Sequence, residues 1–305
     1  MILVAGGTGT LGSRLVSLLA ERGEQVRVLT RDPARAARVD ARAEVAVGDT
    51  GDPEALGRAV AGARTVISAI HGFTGTPGAT PASVDRDGNR NLIRAVLAAE
   101  SAHIILVSVR GASPAHPMAL MRMKHAAEQE LIASGLDWTI IRPSAYMETW
   151  CEVLGRPLLA KGKTMVFGRG ANPVNWVSAW DVARFADLAA ADPALRGRVI
   201  EVGGPKNLTM TEFVRVFQRE TGADGRTRHI PRALMRLTAT VARPVNPALA
   251  RQIQAALIMD TQPQAFDASA TRRLYPSIPS TSLAAVVRRD FAGSPDVASR
   301  HPYPL

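Results

Sequence analysis

Three glycines near the start of the chain have the spacing G-x-x-G-x-x-G. Gly6, Gly9 and Gly12 follow the apolar run ILVA and precede a segment in which leucines recur at helical spacing. In a strand–loop–helix unit, the first glycine allows a sharp turn, the second lets backbone approach a pyrophosphate, and the third lets helix and strand pack closely. Amides at the helix N-terminus then bind the anion, and the hydroxyls of Thr8 and Thr10 add donors. The pattern predicts a dinucleotide-binding loop, against the alternative of a glycine-rich turn without ligand.

The end of the second predicted strand, VRVLTRD, selects between the two nicotinamide cofactors. An Asp or Glu there bonds the ribose 2′-hydroxyl of NAD, whereas an arginine suits the 2′-phosphate of NADP. Arg31 occupies this end, and we therefore predict NADP(H). The alternative is that Arg31 is a solvated charge and Asp32 caps the helix that starts at Pro33. Asp32 also leaves binding of NAD open.

Further residues are placed at the cofactor site by their position at the ends of strands. Asp49 ends the third strand, where a carboxylate can accept a hydrogen bond from the adenine amine, although an Asx turn or a helix cap is the alternative. Ala69 and Ile70 close the fourth strand, and the small Ala69 lets a ribose come close. The predicted cofactor-binding residues are Gly6, Thr8, Gly9, Thr10, Leu11, Gly12, Arg31, Asp49, Thr50, Ala69, Ile70 and Lys124.

The elements that must position these residues alternate between strands and helices over the first two-thirds of the chain. The predicted strands are 2–5, 26–29, 44–49, 65–70, 104–109, 138–143 and 199–204, and the longer helices lie near 10–22, 84–100 and 117–134. Such alternation requires a parallel sheet covered by helices on both faces. With right-handed crossovers, the fold class is α/β, a doubly wound parallel sheet of Rossmann type.

The domain organisation follows from a change of pattern after Gly204. The predicted domains are a dinucleotide-binding Rossmann domain at 1–148, completed by about 173–204, and a smaller, mostly helical substrate-binding part at 205–305 with 149–172. Thr209 and Glu212 form a capping box that opens the first helix of the smaller part. The last residues, SRHPYPL, have the composition of a loosely held tail.

Composition bounds the class of protein and its partners. The chain has 305 residues, a net charge of +10 and one cysteine, Cys151, which fits a reducing compartment. The basic residues are scattered and aromatic residues form only 5% of the chain, so we expect a small anionic ligand rather than a nucleic acid. The first strand begins at position 2 and no apolar run would span a bilayer. We therefore expect a cytoplasmic monomer or homodimer without a targeting segment, a membrane partner or a metal.

Five stretches carry a resemblance to a known family: GGTGTLG, VRVLTRDP, VGDTGDPEAL, RMKHAAEQELIASGLDWTIIRPSAYMET and NPVNWVSAWDVARFA. Together they span positions 1–204, and in them the sequence resembles the NmrA-like NAD(P)H-binding branch of the atypical short-chain dehydrogenase/reductases. That family includes NADPH-dependent reductases, among them isoflavone-reductase-like enzymes, and redox-sensing regulators that bind the dinucleotide without turning it over. The resemblance therefore implies the cofactor and leaves the activity open.

The chain departs from the superfamily at its catalytic motif, Y-x-x-x-K. Lys124 stands in the corresponding helix, but the position four residues before it is Leu120, and leucine cannot transfer a proton. The resemblance gives Lys124 the role of holding the nicotinamide ribose hydroxyls; the alternative is a solvent-facing lysine. The hydroxyl partner of the superfamily lies just past the fifth strand, and this register leaves either Ser108 or Arg110 at that slot.

Two other residues are candidates for proton transfer. His71 follows the fourth strand at the carboxyl side of the sheet, and its ordinary pKa suits acid–base work. It opens the loop 71–82, whose three glycines and two prolines predict a substrate-edge loop or lid. Tyr146 follows the sixth strand and is either a hydrogen-bond donor to a substrate oxygen or an aromatic wall. Asn175 and Trp176 are expected to line the pocket from the second domain.

These residues support two hypotheses of different class. The first is an NADPH-dependent reductase of a carbonyl or conjugated double bond in a small, largely apolar molecule, with Lys124, Tyr146, Ser108 and His71 as the catalytic candidates. The second is a non-catalytic NADP(H)-binding sensor, which the loss of the tyrosine favours; a redox-neutral enzyme such as an epimerase is a related alternative.

Overall fold

A computed structural model describes residues 1–36, 39–73, 78–99 and 103–292. They form two compact units, one within 1–72, 78–143 and 179–202 and the other within 144–178 and 203–292. The centre of the predicted lid, residues 74–77, and the predicted C-terminal tail lie outside the described residues.

The strands of the described chain are, in order, β1 (Ile2–Ala5), β2 (Val26–Thr30), β3 (Glu44–Val47), β4 (Thr65–Ser68), β5 (His103–Val107), β6 (Asp137–Pro143), β7 (Ala145–Tyr146), β8 (Lys163–Phe167), β9 (Val174–Val177), β10 (Arg198–Val202), β11 (Asn207–Leu208) and β12 (Arg226–Ile230). The α-helices are α1 (Thr10–Glu21), α2 (Pro33–Ala36), α3 (Pro53–Val60), α4 (Asn89–Ala98), α5 (Ala119–Ile132), α6 (Met147–Trp150), α7 (Arg156–Lys161), α8 (Ala179–Ala191), α9 (Met210–Thr221), α10 (Arg232–Val245), α11 (Pro247–Thr261), α12 (Ser269–Leu274) and α13 (Leu283–Asp290). Two π-helical segments, Pro81–Gly88 and Cys151–Gly155, and a 3₁₀ turn at Pro193–Leu195 complete the regular structure.

The first unit is built on a seven-stranded sheet with the order β10-β6-β5-β4-β1-β2-β3. Every neighbouring pair is parallel. β1, β4 and β5 are buried along their whole length, which explains why apolar residues follow one another in them instead of alternating with exposed polar ones. The predicted doubly wound Rossmann sheet is confirmed. Its strand order reverses between β1 and β4, the point at which such sheets bind their ligands.

Helices cover both faces of this sheet. On one face α1 packs against α8, and on the other α3 and α4 pack side by side. Leu56 and Val60 from α3 join Leu92 and Val96 from α4 in one buried apolar cluster with strand residues such as Leu3. This packing fixes where the carboxyl ends of the strands lie, and those ends carry the predicted site residues.

Capping residues in the sequence mark the start of some helices correctly, but the sequence did not reveal a π-helical turn. Asp52 caps α3 and accepts hydrogen bonds from the amides of residues 54 and 55, and the Thr209–Glu212 capping box opens α9. The single helix predicted over 84–100 is wrong in form: a π-helical turn at Pro81–Gly88 precedes α4. Wider π-helical winding alters which side chains face inward, and simple 3.6-residue periodicity does not reveal it.

The second unit has its own core and small sheets. β9 pairs with β7 in parallel and with β11 in antiparallel fashion, and β8 pairs with β12 in parallel. Trp176 on β9 is fully buried, and its ring centroid lies 4.9 Å from that of Phe213 on α9. Within the described residues, we find no helix with the length and apolar character needed to cross a bilayer.

Candidate functional site

The turn after β1 is shaped by glycines that lie too close to other backbone atoms for any side chain. Gly6 has a φ of +84°, and a Cβ placed on it would lie 2.8 Å from the carbonyl oxygen of Ala69 after β4. A Cβ on Gly12 would lie 2.1 Å from the carbonyl oxygen of Gly6. Gly6 therefore brings the turn against β4, and Gly12 brings the first turn of α1 against the loop.

The N-terminus of α1 is arranged to receive an anion. Gly9 is its N-cap residue, so no side chain caps the helix, and the first turn contains no acidic residue. The amide of Ser13 donates to the carbonyl of Gly9 at 3.0 Å, and the amides at 10–12 therefore precede the internal bonding of the helix. The nearest non-neighbouring atom to a Cβ on Gly9 would be the Gly6 oxygen, at 3.3 Å. Helical amides beside a close backbone approach fit a dinucleotide pyrophosphate.

The carboxyl ends of β2 and β3 carry an ion pair. Arg31 Nε lies 3.5 Å from Asp49 Oδ2, and both side chains are about half exposed. The other oxygen of Asp49 accepts a hydrogen bond of 2.7 Å from the amide of Gly51, as in an Asx turn. Asp32 accepts from the amide of Ala34 at 2.9 Å and lies 3.5 Å from Arg35, so its carboxylate serves the start of α2.

Lys124 is buried, which rules out the solvent-facing alternative. Its ammonium donates to the backbone oxygens of Ile70 at 2.8 Å and Val107 at 2.9 Å. It also lies 3.1 Å from the carboxylate of Asp85, and the two side chains are 5% and 0% exposed. Lys124 therefore joins the ends of β4 and β5 and shares its charge with a buried acid.

The partners of Lys124 were not found from the sequence. Asp85 lies in the π-helical turn, and its second oxygen accepts the amide of Gly72 at 2.9 Å. Asn89 donates to the backbone oxygen of Asp85 at 2.7 Å and contacts the hydroxyl of Ser68. One feature of the sequence indicates them: Asp85 and Asn89 are polar, yet helical spacing places them on the same face as the buried Leu92.

The residues predicted to bind the cofactor after β3 and β4 are hydrogen-bonded to this framework. The carbonyl of Thr50 accepts a hydrogen bond of 2.9 Å from the side chain of Asn91 on α4. The amide of Ala69 donates to Ala5 at 2.9 Å, which extends the pairing of β1 and β4 beyond the strands. Thr50, Ala69 and Ile70 thus lie on backbone held in place by neighbouring elements.

His71 directly follows the residue whose carbonyl Lys124 holds. Desolvation lowers the pKa of its imidazole below the ordinary 6.5; the Asp85 carboxylate opposes this effect and the Lys124 ammonium adds to it. The ring is therefore neutral at pH 7 and available as a hydrogen-bond donor or acceptor.

The two residues that compete for the slot after β5 differ in environment. Ser108 is 5% exposed, its amide donates to the carbonyl of Ile141 at 2.8 Å, and its hydroxyl has no hydrogen-bond partner among the residues described. Arg110 lies 3.8 Å from Glu201. Ser108 therefore has a hydroxyl with unused bonding capacity, whereas the Arg110 guanidinium faces a carboxylate.

Tyr146 lies in the second unit, on β7. Desolvation raises the pKa of its phenol, and the nearby carboxylate of Glu148 raises it further. Glu148 is itself buried and accepts a hydrogen bond of 2.8 Å from the hydroxyl of Ser178. Tyr146 thus keeps its proton throughout the ordinary pH range and can donate a hydrogen bond.

Asn175 and Trp176 are 1% and 0% exposed, so within the described part of the chain neither presents its side chain to an open pocket, contrary to the prediction. Asn175 instead accepts the amide of Gly204 at 2.9 Å and donates to the side chain of Asn207 at 3.1 Å. It thereby supports the wall of an open cavity of about 560 Å³ in the second unit. The cavity is lined by Gly204, Pro205, Lys206, Asn207, Phe266, Asp267, Ala268, Ser269, Arg272 and Ser280.

Comparison with known proteins identifies the family. The family model described as NAD(P)H-binding matches residues 6–193, which include the glycine turn, Arg31 and Lys124. The chain belongs to this NAD(P)H-binding family. The NmrA-like resemblance drawn from the sequence motifs is confirmed, and so is the nicotinamide dinucleotide as the cofactor of this NAD(P)H-binding chain.

The relatives of this NAD(P)H-binding chain carry names that describe different functions. It is 32% identical over 224 residues to the NAD(P)H azoreductase of Xenophilus azovorans, covering 73% of this chain and 74% of the relative. It is 29% identical to the photosystem II assembly factor Ycf39 of Synechocystis, covering 79% and 74%. The NADPH complex of the Escherichia coli quinone oxidoreductase QOR2 shares its fold, with a TM-score of 0.75, 22% identity and coverage of 95% and 99%.

Proposed function

We propose that this protein is an NADPH-dependent reductase of a carbonyl or conjugated double bond in a small, largely apolar molecule. The observation that carries the proposal is the glycine turn, whose uncapped helix N-terminus at Gly9 fits a pyrophosphate. The relative named as an NAD(P)H azoreductase, at 32% identity, supports the reductase class. The preference for NADPH rests on Arg31 at the end of β2, because a guanidinium suits a 2′-phosphate.

The residues of this chain position the turn at the cofactor site and supply a proton; they do not form a catalytic triad. When bound, the nicotinamide supplies the hydride. Lys124 fixes the carbonyl of Ile70 and hence the turn that carries His71, while its charge is compensated by the buried carboxylate of Asp85. We assign the proton to His71, because it lies on this fixed turn; Tyr146 and Ser108 are the remaining donors.

A substrate panel tests the proposal directly. NADPH absorbance is followed with quinones, enones, ketones and azo compounds, for the natural protein and for Gly9→Ala, whose added methyl group would occupy the backbone approach to the pyrophosphate. We expect oxidation of NADPH with at least one acceptor class and loss of that oxidation in Gly9→Ala. Binding of NADPH without turnover of any acceptor would contradict the reductase.

A non-catalytic NADP(H)-binding protein is the second candidate, and one observation favours it. Leu120 stands where the superfamily has its tyrosine, and the Lys124 ammonium is engaged by three protein oxygens. A relative named as an assembly factor fits this reading. In that case Lys124→Met would alter protein stability and NADPH affinity, while no acceptor would be reduced by either form.

A further inference from the structure

The ion pair between Arg31 and Asp49 places a negative charge beside the residue to which we assign the 2′-phosphate. Arg31 Nε and Asp49 Oδ2 are 3.5 Å apart, and the side chains are 49% and 50% exposed. A guanidinium attracts a phosphate and a carboxylate repels it, and at this separation a phosphate near Arg31 also senses Asp49. The attraction exerted by Arg31 is therefore partly offset by its own partner.

Asp49 cannot easily turn away from this position. Its Oδ1 accepts the amide of Gly51 at 2.7 Å, and its carbonyl accepts the amide of Asp52 at 3.0 Å. The next carbonyl, of Thr50, is held by Asn91 at 2.9 Å. The carboxylate is thus fixed by its own turn, and the turn is fixed by α4, whether or not Arg31 is paired with it.

The other acid at this edge has a different partner. Asp32 accepts the amide of Ala34 and lies 3.5 Å from Arg35 Nε. Its charge is therefore shared with the first turn of α2 and with Arg35, whereas the carboxylate of Asp49 lies against Arg31.

We propose that Asp49 limits the preference of this protein for NADPH over NADH. A 2′-phosphate carries between one and two negative charges at neutral pH and is repelled by Asp49, whereas the neutral 2′-hydroxyl of NADH is not. Asp49 thereby narrows the difference in affinity that Arg31 creates and keeps NADH usable. The inference rests on the proposed function, in which Arg31 receives the 2′-phosphate.

The test measures binding of the adenosine half of each cofactor, without any reduction step. Calorimetry gives the dissociation constants of 2′,5′-ADP and 5′-AMP for the natural protein, Asp49→Asn, Arg31→Ala and a control, Glu54→Gln. Asn retains the oxygen that accepts the Gly51 amide, so Asp49→Asn removes the charge and keeps the turn. Glu54 carries the same charge a few residues along and is 90% exposed, and its substitution controls for net charge alone.

We expect Asp49→Asn to raise the affinity for 2′,5′-ADP relative to that for 5′-AMP about two- to fivefold, the range typical of a half-exposed charge interaction. Glu54→Gln is expected to change neither constant, and the gain is expected to shrink as salt is added. An unchanged ratio of the two dissociation constants in Asp49→Asn, including an equal loss of affinity for both nucleotides as for an adenine contact, would overturn the inference alone. Equal loss of both nucleotides in Arg31→Ala would overturn the placement of the phosphate, and the inference with it.

Discussion

The ammonium of Lys124 lies 3.1 Å from the carboxylate of Asp85, with both groups buried beneath the ends of β4 and β5. Neither charge reaches bulk water, so each depends on the other and on the backbone oxygens of Ile70 and Val107 for compensation. The pair therefore has a structural role: Lys124 and Asp85 hold the turn that carries His71.

Removal of one member of the pair should destabilise the protein strongly. Lys124→Met leaves a buried carboxylate unpaired, and we expect a loss of about 3–5 kcal/mol in the free energy of unfolding. Adding Asp85→Asn removes the orphaned charge while retaining an acceptor for the Gly72 amide, and should restore part of that loss. Urea unfolding of both variants measures the coupling; equal stability of the single and double variants would contradict it.

Substitutions at two glycines of the first turn should differ in their effects on cofactor binding and on stability. Gly9→Ala adds a methyl group 3.3 Å from the carbonyl oxygen of Gly6, which a small shift of that carbonyl relieves, so the melting temperature should fall only modestly. Its dinucleotide affinity should fall roughly ten- to hundredfold, the equivalent of one charge-assisted hydrogen bond. Gly12→Ala meets a carbonyl at 2.1 Å and should lose stability as well, by about 1–3 kcal/mol. Nucleotide titration measures the dinucleotide affinity of both variants, and thermal melts measure their stability. Unchanged affinity in Gly9→Ala would contradict the prediction.

The dependence of turnover on pH should identify the proton donor. The pKa of His71 is lowered from 6.5, so a reaction that needs its protonated ring slows as the pH rises through a value below 6.5. The pKa of Tyr146 is raised from 10.0, so a reaction that uses its phenol shows no such decline. We expect the decline, its loss in His71→Gln and its retention in Tyr146→Phe. A flat profile that collapses in Tyr146→Phe would assign the proton to Tyr146 instead.

Acid should weaken the fold through His103. Its Nε2 lies 3.0 Å from the hydroxyl of Thr139, which itself donates to the carbonyl of Leu195 at 2.9 Å, so Nε2 carries the hydrogen of a neutral ring. Burial, with Arg196 in addition, lowers the pKa of His103 from 6.5 to about 4. The unfolded chain therefore binds a proton between these values when the folded chain does not, and stability falls as the pH drops through that window.

The full loss attributable to His103 is on the order of 3 kcal/mol, reached below the folded pKa. His103→Gln lacks this titration, so its free energy of unfolding should decline less between pH 6.5 and about 5 than that of the natural protein. Parallel declines in urea unfolding at these pH values would show that His103 does not contribute.

Local patterns in the sequence predicted the sheet and the cofactor loop because each strand and its loop are contiguous. The apolar runs at β1, β4 and β5 and the glycine spacing are signals within a few residues. The pairing of Lys124 with Asp85 joins residues far apart in the chain, and the π-helical turn that presents Asp85 shifts its register. Periodicity along the chain can mark Asp85 as a polar residue that faces inward, but it does not identify Lys124 as its partner.

The same limit applies to Asn175. Its position in a strand-like segment near the expected pocket suggested a lining residue, whereas its amide satisfies the backbone of Gly204 and is almost fully buried. Polarity alone does not tell a ligand-facing amide from one that replaces missing backbone pairing.

The second unit is assembled from two stretches of sequence, 144–178 and 203–292, which are separated by residues that belong to the first unit. Trp176 comes from the stretch before β10, while Phe213 and Phe217, in the same core, come from the stretch after it. Recombination that exchanged only the last third of such a chain would separate these core partners and expose them. Divergence within this lineage should therefore proceed by point changes at exposed positions such as Pro205 and Lys206, rather than by shuffling of whole C-terminal modules.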